Sequence, residues 1–257
     1  MTIDQSRWTA LAEDLADAQR SGVLRDLPAR DCLPANASDS YFVQDRVIAW
    51  LEREPRAWKL GATALAAQAN FGLSEPFSGP VLQGRVLISP AEVDVSGYAC
   101  HVFEPEIAIT LASDLVGPVD ARTAHDAIAS YHPAIELINF RYRNGRSLDA
   151  LGMITDGGAN GALVLGPASD PSDFDYVSVT LDMRINGKTV ANRFPPPPET
   201  EISGLLAWFS GHLAARGYIL RKGDVITTGS QAGVIEYAPG DRIEADFGAL
   251  GIASARF

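Results

Sequence analysis

Trp58-Lys59-Leu60-Gly61-Ala62-Thr63 marks the point at which the apolar residues change period. Upstream, Trp8, Leu11, Ala12, Leu15 and Ala16 recur at three- and four-residue steps, as do Tyr41, Val43, Val47, Ile48 and Leu51. Two amphipathic helices are therefore expected, joined by a loop over Leu27 to Ser40. From Trp58 onward the period shortens toward two, and Gly and Pro become frequent: Gly72, Pro76, Gly79, Pro80, Gly84 and Pro90. A β-rich body begins there. The expected division is a helical region over 1–56 and a β body over 57–257.

Within the body, Tyr176 to Arg193 reads as a hairpin, because Asn186-Gly187 accepts positive φ at both central turn positions. Leu205, Leu206, Phe209 and Leu213 restore helical spacing between Thr200 and Arg216, with Gly217 placed to end that helix. Strand-and-turn units close the chain, over Gly223–Gly229, Asp241–Phe247 and Ile252–Phe257. Pro195 to Pro198 form a stiff polyproline II segment, expected to be a connector or a lid.

Composition narrows the function. The chain has 257 residues, with 21 Lys and Arg against 32 Asp and Glu, a net charge of −11. Such a charge disfavours a phosphate backbone as partner, so no nucleic acid is expected. No apolar run approaches the roughly 20 residues of a membrane helix, and Asp4, Glu13 and Asp14 stand where a signal peptide would be basic and then apolar. No membrane partner is expected, and a cytoplasmic protein is. Cys32 and Cys100, the two cysteines, suggest neither a disulfide framework nor a thiolate metal site. There is also no Gly-x-x-x-x-Gly-Lys loop and no Gly-x-Gly-x-x-Gly, which removes the nucleotide enzymes.

Three acidic positions carry the candidate chemistry. In Phe103-Glu104-Pro105-Glu106-Ile107, read as a strand, Glu104 and Glu106 leave the same face, while Pro105 points away and lacks a ladder donor. Paired carboxylates are half of a hard-cation site, or else they line a solvated face. Glu136, in Ala134-Ile135-Glu136-Leu137-Ile138, sits in a run that reads as a strand buried on both faces. A carboxylate there needs either a metal or an ion pair, for which Arg141 and Arg143 are available. Lys59, between Trp58 and Leu60, either snorkels to solvent or stands at the mouth of a pocket. None of the four histidines, His101, His125, His132 and His212, lies in a recognisable nucleophile motif; His101 is close enough in sequence to the acidic pair to support it.

In order along the chain, Lys59-Leu60-Gly61-Ala62-Thr63, Gln68, Gly72, Glu75-Pro76, Gly79, Glu104-Pro105-Glu106, Pro133-Ala134-Ile135-Glu136, Arg141, Ile154-Thr155-Asp156, Gly161–Gly166, Gly223–Gly229 and Gly240-Asp241 resemble the 2-keto-4-pentenoate hydratase family. That family is part of the hydratase and decarboxylase branch of the fumarylacetoacetate hydrolase superfamily. The resemblance implies an α+β fold: a small N-terminal helical region, then a mixed β-sandwich roll that carries the catalytic site. It implies Mg²⁺ or Mn²⁺ on Glu104, Glu106 and Glu136, with Lys59 as the catalytic residue. Arg141, Asp156, Thr228 and Gly229 are implied for substrate binding.

The implied reaction is addition of water to a short unsaturated 2-keto acid of the 2-hydroxypenta-2,4-dienoate kind, through a metal-stabilised enolate, in the catabolism of aromatic ring-cleavage products. The alternatives are decarboxylation of a 2-oxo-3-enedioate, hydrolysis of an acylpyruvate, and service as a non-catalytic partner of a homologue. A homo-oligomer is implied, with a homologous decarboxylase or hydratase as a further partner. Three stretches differ from the family, one of them the Pro195 to Pro198 region, which stands where Gly-His-Pro is common before the late helix. Phe77 stands where an Asp is common, and Asp156-Gly157-Gly158-Ala159 stands where Asp-Asn-Ala-Ser is common. The metal-binding pattern is kept while the residues around the substrate have changed.

Overall fold

The computed structural model describes residues 3–51, 55–193 and 201–257. The polyproline segment Pro195 to Pro198 lies outside them. The chain opens with α1 (Ile3–Ser21) and α2 (Ala37–Trp50). Helix α2 begins three residues before the end of the expected loop, because the Asn36 side chain accepts a hydrogen bond from the Asp39 amide at 2.9 Å and caps it. Trp8, Ala12 and Leu15 of α1 pack on Val43 of α2 and on Tyr142.

The body follows: β1 (Ala57–Gly61), α3 (Leu65–Phe71), β2 (Phe77–Val81), β3 (Val86–Ile88), β4 (Ala91–Glu92), β5 (Val102–Leu111), α4 (Ala121–Asp126), β6 (Ile128–Ile138), α5 (Ala150–Thr155) and β7 (Asn160–Leu165). Then come β8 (Leu181–Ile185), β9 (Lys188–Arg193), α6 (Ile202–Ala215), β10 (Val225–Ser230), β11 (Ile235–Glu236), β12 (Arg242–Asp246) and β13 (Ile252–Arg256). The described strands form two sheets. One has eight strands, ordered β2-β1-β10-β5-β6-β7-β3 with β11 added on β5; the other has five, ordered β4-β13-β12-β8-β9. Both sheets mix parallel and antiparallel pairs, and helices pack beside them, so the fold is α+β. No helix among the described residues is long and apolar enough to cross a membrane.

The hairpin forms at Asn186-Gly187, whose φ values are 51° and 78°. Its first strand starts at Leu181 rather than Tyr176, because the Asp175 carboxylate accepts the Val177 amide at 3.0 Å and winds Tyr176–Ser178 into a 3₁₀ turn. Helix α6 ends before Gly217, which has φ 84°.

The two-residue period sorts the central strands into two faces. Phe103, Ile107 and Ile109 of β5, Ile135 and Leu137 of β6, and Trp58 and Leu60 of β1 join the main core. There they meet Met183, Ile243, Ala245, Ala253 and Ala255 of the second sheet, Phe247 just after β12, and Leu205, Leu206, Phe209 and Leu213 of α6. Burial of this apolar surface is the dominant stabilising term. The intervening residues, Lys59, Glu104, Glu106 and Glu136, leave the opposite face. The fold therefore gathers charged side chains by the same alternation that builds its core.

Candidate active site

Strands β5 and β6 pair antiparallel, with Glu104 opposite Glu136, Pro105 opposite Ile135, and Glu106 opposite Ala134. This register brings the three carboxylates together, with one oxygen of each within 4.8 Å of the others. Glu106 and Glu136 are 1% and 0% exposed. Lys59 reaches the same point from β1. It is 3% exposed, so it does not snorkel, and its Nζ lies 3.4 Å from Glu136 Oε2.

Neighbouring backbone and side chains hold these groups. The Gly229 amide donates to Glu106 Oε2 at 2.7 Å, and Asn160 Nδ2 donates to Glu136 Oε1 at 3.0 Å. The other oxygens, Glu106 Oε1 and Glu136 Oε2, are buried without a hydrogen bond. Burial pushes the Glu104 carboxyl up to about 7, opposed by Lys59 and reinforced by Glu136. Burial, then Glu136 and Glu104, lift Glu106 well above the ordinary carboxylate range. Burial alone would depress Lys59, but the attraction of Glu136, Glu104 and Glu106 outweighs it and holds the ammonium above its usual value.

Two buried carboxylates and a half-buried third, facing one ammonium, leave uncompensated negative charge when ionised. The remedies are protonation or a cation. Glu106 Oε1 has no donor and Glu136 Oε2 faces only the Lys59 ammonium at 3.4 Å; on an all-oxygen set this matches what a hard divalent ion needs, so the residues present fit such an ion.

The lysine is tightly housed. Its Nζ stands 5.3 Å from the centre of the Phe77 ring, a cation–π distance. Gly158, with φ 73°, lies where an added Cβ would come within 3.1 Å of both Lys59 Cδ and Gly79 Cα. A Cβ on Gly79 would meet the Gly157 carbonyl oxygen at 2.3 Å. Phe77 and Gly158, from two of the stretches that depart from the family pattern, thus stand against Lys59.

A cavity of about 450 Å³ opens on this cluster. Lys59, Glu104, Phe77, Gly158 and Gly229 border it, with Phe71, Val102, Ile138, Phe140 and Met153 as apolar wall and Arg146 also on its boundary.

The remaining expected residues stand elsewhere. Thr228 is buried and its hydroxyl donates to the Ile107 carbonyl at 2.9 Å. Arg141 and Asp156 border a different cavity and bind each other, Nε to Oδ1 at 2.7 Å. Arg141 Nη1 also donates to the Asn160 carbonyl at 2.8 Å, so the pair supports the residue that holds Glu136. Arg143 pairs with Asp26. Glu136 is therefore answered by Lys59 and Asn160, and by neither arginine. His101 packs edge-on against Tyr237 at 5.5 Å.

Asn160 and Arg146 are not legible as site residues in the sequence. The signal for Asn160 is slight: a polar residue that opens the otherwise apolar strand Ala162-Leu163-Val164-Leu165.

Residues 77–257 match the family model of the fumarylacetoacetate (FAA) hydrolase C-terminal domain. The chain is 26% identical to a 2-oxo-hept-4-ene-1,7-dioate hydratase of Escherichia coli, over 99% of each chain. It is 27% identical to 2-keto-4-pentenoate hydratase 1 of Dechloromonas aromatica (strain RCB), over 90% of this chain and 89% of that one. Among solved structures it superposes on a 4-oxalocrotonate decarboxylase from Pseudomonas putida G7, complexed with magnesium and adipate. That match has a TM-score of 0.90 at 25% identity and covers 100% of this chain and 99% of the other.

Proposed function

Because this chain belongs to the fumarylacetoacetate hydrolase family, we propose that it is a hydro-lyase adding water to a short unsaturated 2-keto acid, of the 2-hydroxypenta-2,4-dienoate kind, formed after aromatic ring cleavage. The observation that carries this reading is the convergence of Glu104, Glu106 and Glu136 on one point beside the buried Lys59, with Glu106 Oε1 left without a donor.

Glu104, Glu106 and Glu136 would hold a divalent cation, Mg²⁺ or Mn²⁺. When bound, that ion supplies Lewis acidity toward the 2-oxo group and charge for the substrate carboxylate. The chain's own groups do the rest. The Gly229 amide and Asn160 fix Glu106 and Glu136 in orientation, as outer partners of a metal site do. Lys59 holds a proton at Nζ and exchanges it with the substrate at the oxygen where negative charge grows, in ketonisation and again as water adds. Phe77 and Gly158 keep that Nζ placed. Gly229 offers the cavity a wall without a side chain, whereas Thr228, Arg141 and Asp156 serve the substrate indirectly, by holding Ile107, Asn160 and the loop that follows.

Homo-oligomeric assembly, implied by the family resemblance, belongs to the same proposal, as does a cytoplasmic setting. The full-length likeness to a decarboxylase makes release of CO₂ the competing outcome. The test is to mix the protein with freshly generated 2-hydroxypenta-2,4-dienoate and follow its conjugated absorbance with Mg²⁺, with Mn²⁺ and with chelator. Loss of absorbance that needs the metal is expected; a stable absorbance in the presence of either metal would overturn the reading.

A further inference from the structure

A second cavity, of about 360 Å³, is distinct from the one at the glutamate cluster. Among the described residues, Phe140 alone borders both. Arg85 and Arg141, with Gln19, border this second cavity and also the smaller one beside Asp156. Two guanidiniums on one cavity are a local exception in a chain whose net charge is −11. The volume is in the range of small-molecule sites.

The polar groups on this cavity have donor capacity left over. Among the described residues Arg85 has no ion-pair partner. Arg141, 9% exposed, carries a guanidinium with five N–H groups. Four of them are engaged, by Asp156 Oδ1 at 2.7 Å, Gln19 Oε1 at 3.2 Å, the Asn160 carbonyl at 2.8 Å and the Asp156 carbonyl. The Tyr98 hydroxyl, on the same cavity, is buried without a hydrogen-bond partner. Arg85 and Arg141 act on its oxygen with their positive charge, and its O–H has no acceptor. A Cβ added to Gly161 would come within 2.8 Å of the Tyr98 ring, so the ring is held in place. What all three side chains lack is an acceptor.

Charge narrows what that acceptor is. A carboxylate offers two oxygens and matches a guanidinium fork. Asp156 already answers Arg141, and Asp94, whose Oδ1 accepts the Ser96 amide at 3.0 Å, adds negative charge on the cavity border. The positive charge left to a ligand is that of one arginine at most, which suits a monoanion better than a phosphate dianion. Leu24 and Phe140 give the cavity apolar wall for a short tail. We infer that this cavity is a second binding site, in which Arg85, Arg141 and Tyr98 hold a small monocarboxylate apart from the metal cluster. The inference does not rest on the hydratase reading, because it stands on other residues and its test reads binding rather than turnover.

The probe is 4,4,4-trifluorobutanoate, its ¹⁹F resonance followed as it is titrated with the full-length Mg²⁺-loaded protein and with Glu106→Gln, which takes away the contribution of the metal site. Binding to the wild type that persists in Glu106→Gln is expected. On that background Arg85→Gln should weaken binding about tenfold or more, in line with loss of a charge-assisted contact. Arg143→Gln, which removes the same charge from a residue outside the cavity, should leave it within twofold. Tyr98→Phe keeps the ring and removes the unpartnered O–H, so it should weaken binding about fivefold and melt at or above the temperature of its parent, which separates a lost contact from a damaged fold. No binding to the wild type, binding that disappears in Glu106→Gln, equal affinities in the Arg85 and Arg143 variants, or an affinity that Tyr98→Phe leaves unchanged would overturn the inference. So would displacement of the probe by inorganic phosphate at pH 8 more effectively than by acetate.

Discussion

Glu104 and Glu136 face each other directly across the antiparallel pair β5–β6, on a sheet face where like charges destabilise. Lys59, 3.4 Å from Glu136, offsets part of that repulsion. Glu106 adds a third carboxylate within 4.8 Å of both. A strand pair selected for stability alone would place apolar residues there, as it does at Ala108 and Ala134 on the same face. The arrangement makes sense as a place kept for positive charge, and its consequences can be measured.

Glu106→Gln keeps the shape and removes one charge. The metal-free variant should melt at or above the wild-type temperature, because a buried repulsion is relieved. Its Mg²⁺ affinity should fall by more than the roughly 10–100-fold that loss of a supporting hydrogen bond costs a metal site, and metal-dependent turnover should vanish. Calorimetric titration and paired melts check this; retained activity with metal bound would remove Glu106 from the ligand set.

Metal binding should also follow pH. In the metal-free fold burial raises Glu104 to about 7 and Glu106 in the same direction. A carboxyl raised in the fold binds more protons folded than unfolded, so its contribution to stability is greatest below the ordinary value of about 4.5 and is lost as pH rises through 7. A cation cancels that loss. The rise in melting temperature on adding Mg²⁺ should therefore grow between pH 5 and pH 8, within roughly this titration range. A rise that is flat or shrinks over this range would contradict the assignment.

Lys59→Met retains the buried stem and removes the ammonium. Turnover should fall by about 10²–10⁴-fold, the usual contribution of a positioned proton-transfer group. Mg²⁺ should bind at least as tightly as to wild type, since a competing positive charge beside Glu136 is gone. Parallel loss of metal binding and turnover would instead make Lys59 a structural partner of the triad.

Arg141→Gln tests the other buried pair. Arg141 and Asp156 have side chains 10% and 0% exposed, and leaving Asp156 without its partner should destabilise the fold by about 3–5 kcal/mol. Chemical denaturation measures that loss directly. Unchanged stability combined with a much higher KM would place Arg141 on the substrate instead.

Much of the frame was legible because period two and period 3.6 separate cleanly in this chain. Phe103, Ile107 and Ile109 announce one face of β5, and Glu104 and Glu106 the other; Asn186-Gly187 announces its turn. Local side-chain hydrogen bonds moved the edges, at Asn36 for α2 and Asp175 before β8. Lys59 shows where the one-dimensional reading stops. A lysine between Trp58 and Leu60 snorkels unless something across the sheet holds it, and Glu136 is 77 positions away in sequence, with Gly158 still further along the chain closing over its stem. The Arg141–Asp156 pair and the 3.1 Å approach of Ser78 Oγ to His212 Nε2 are likewise products of tertiary register, which composition and spacing do not carry.

The most direct test of the account is the mass of the product formed from 2-hydroxypenta-2,4-dienoate by the Mg²⁺-loaded wild-type protein, set beside the same reaction with Glu106→Gln. Gain of one water by the wild type, absent in the variant and in chelator, is the result predicted. An unchanged substrate mass with metal bound, or a hydrated product that forms equally well without Glu106, would contradict it.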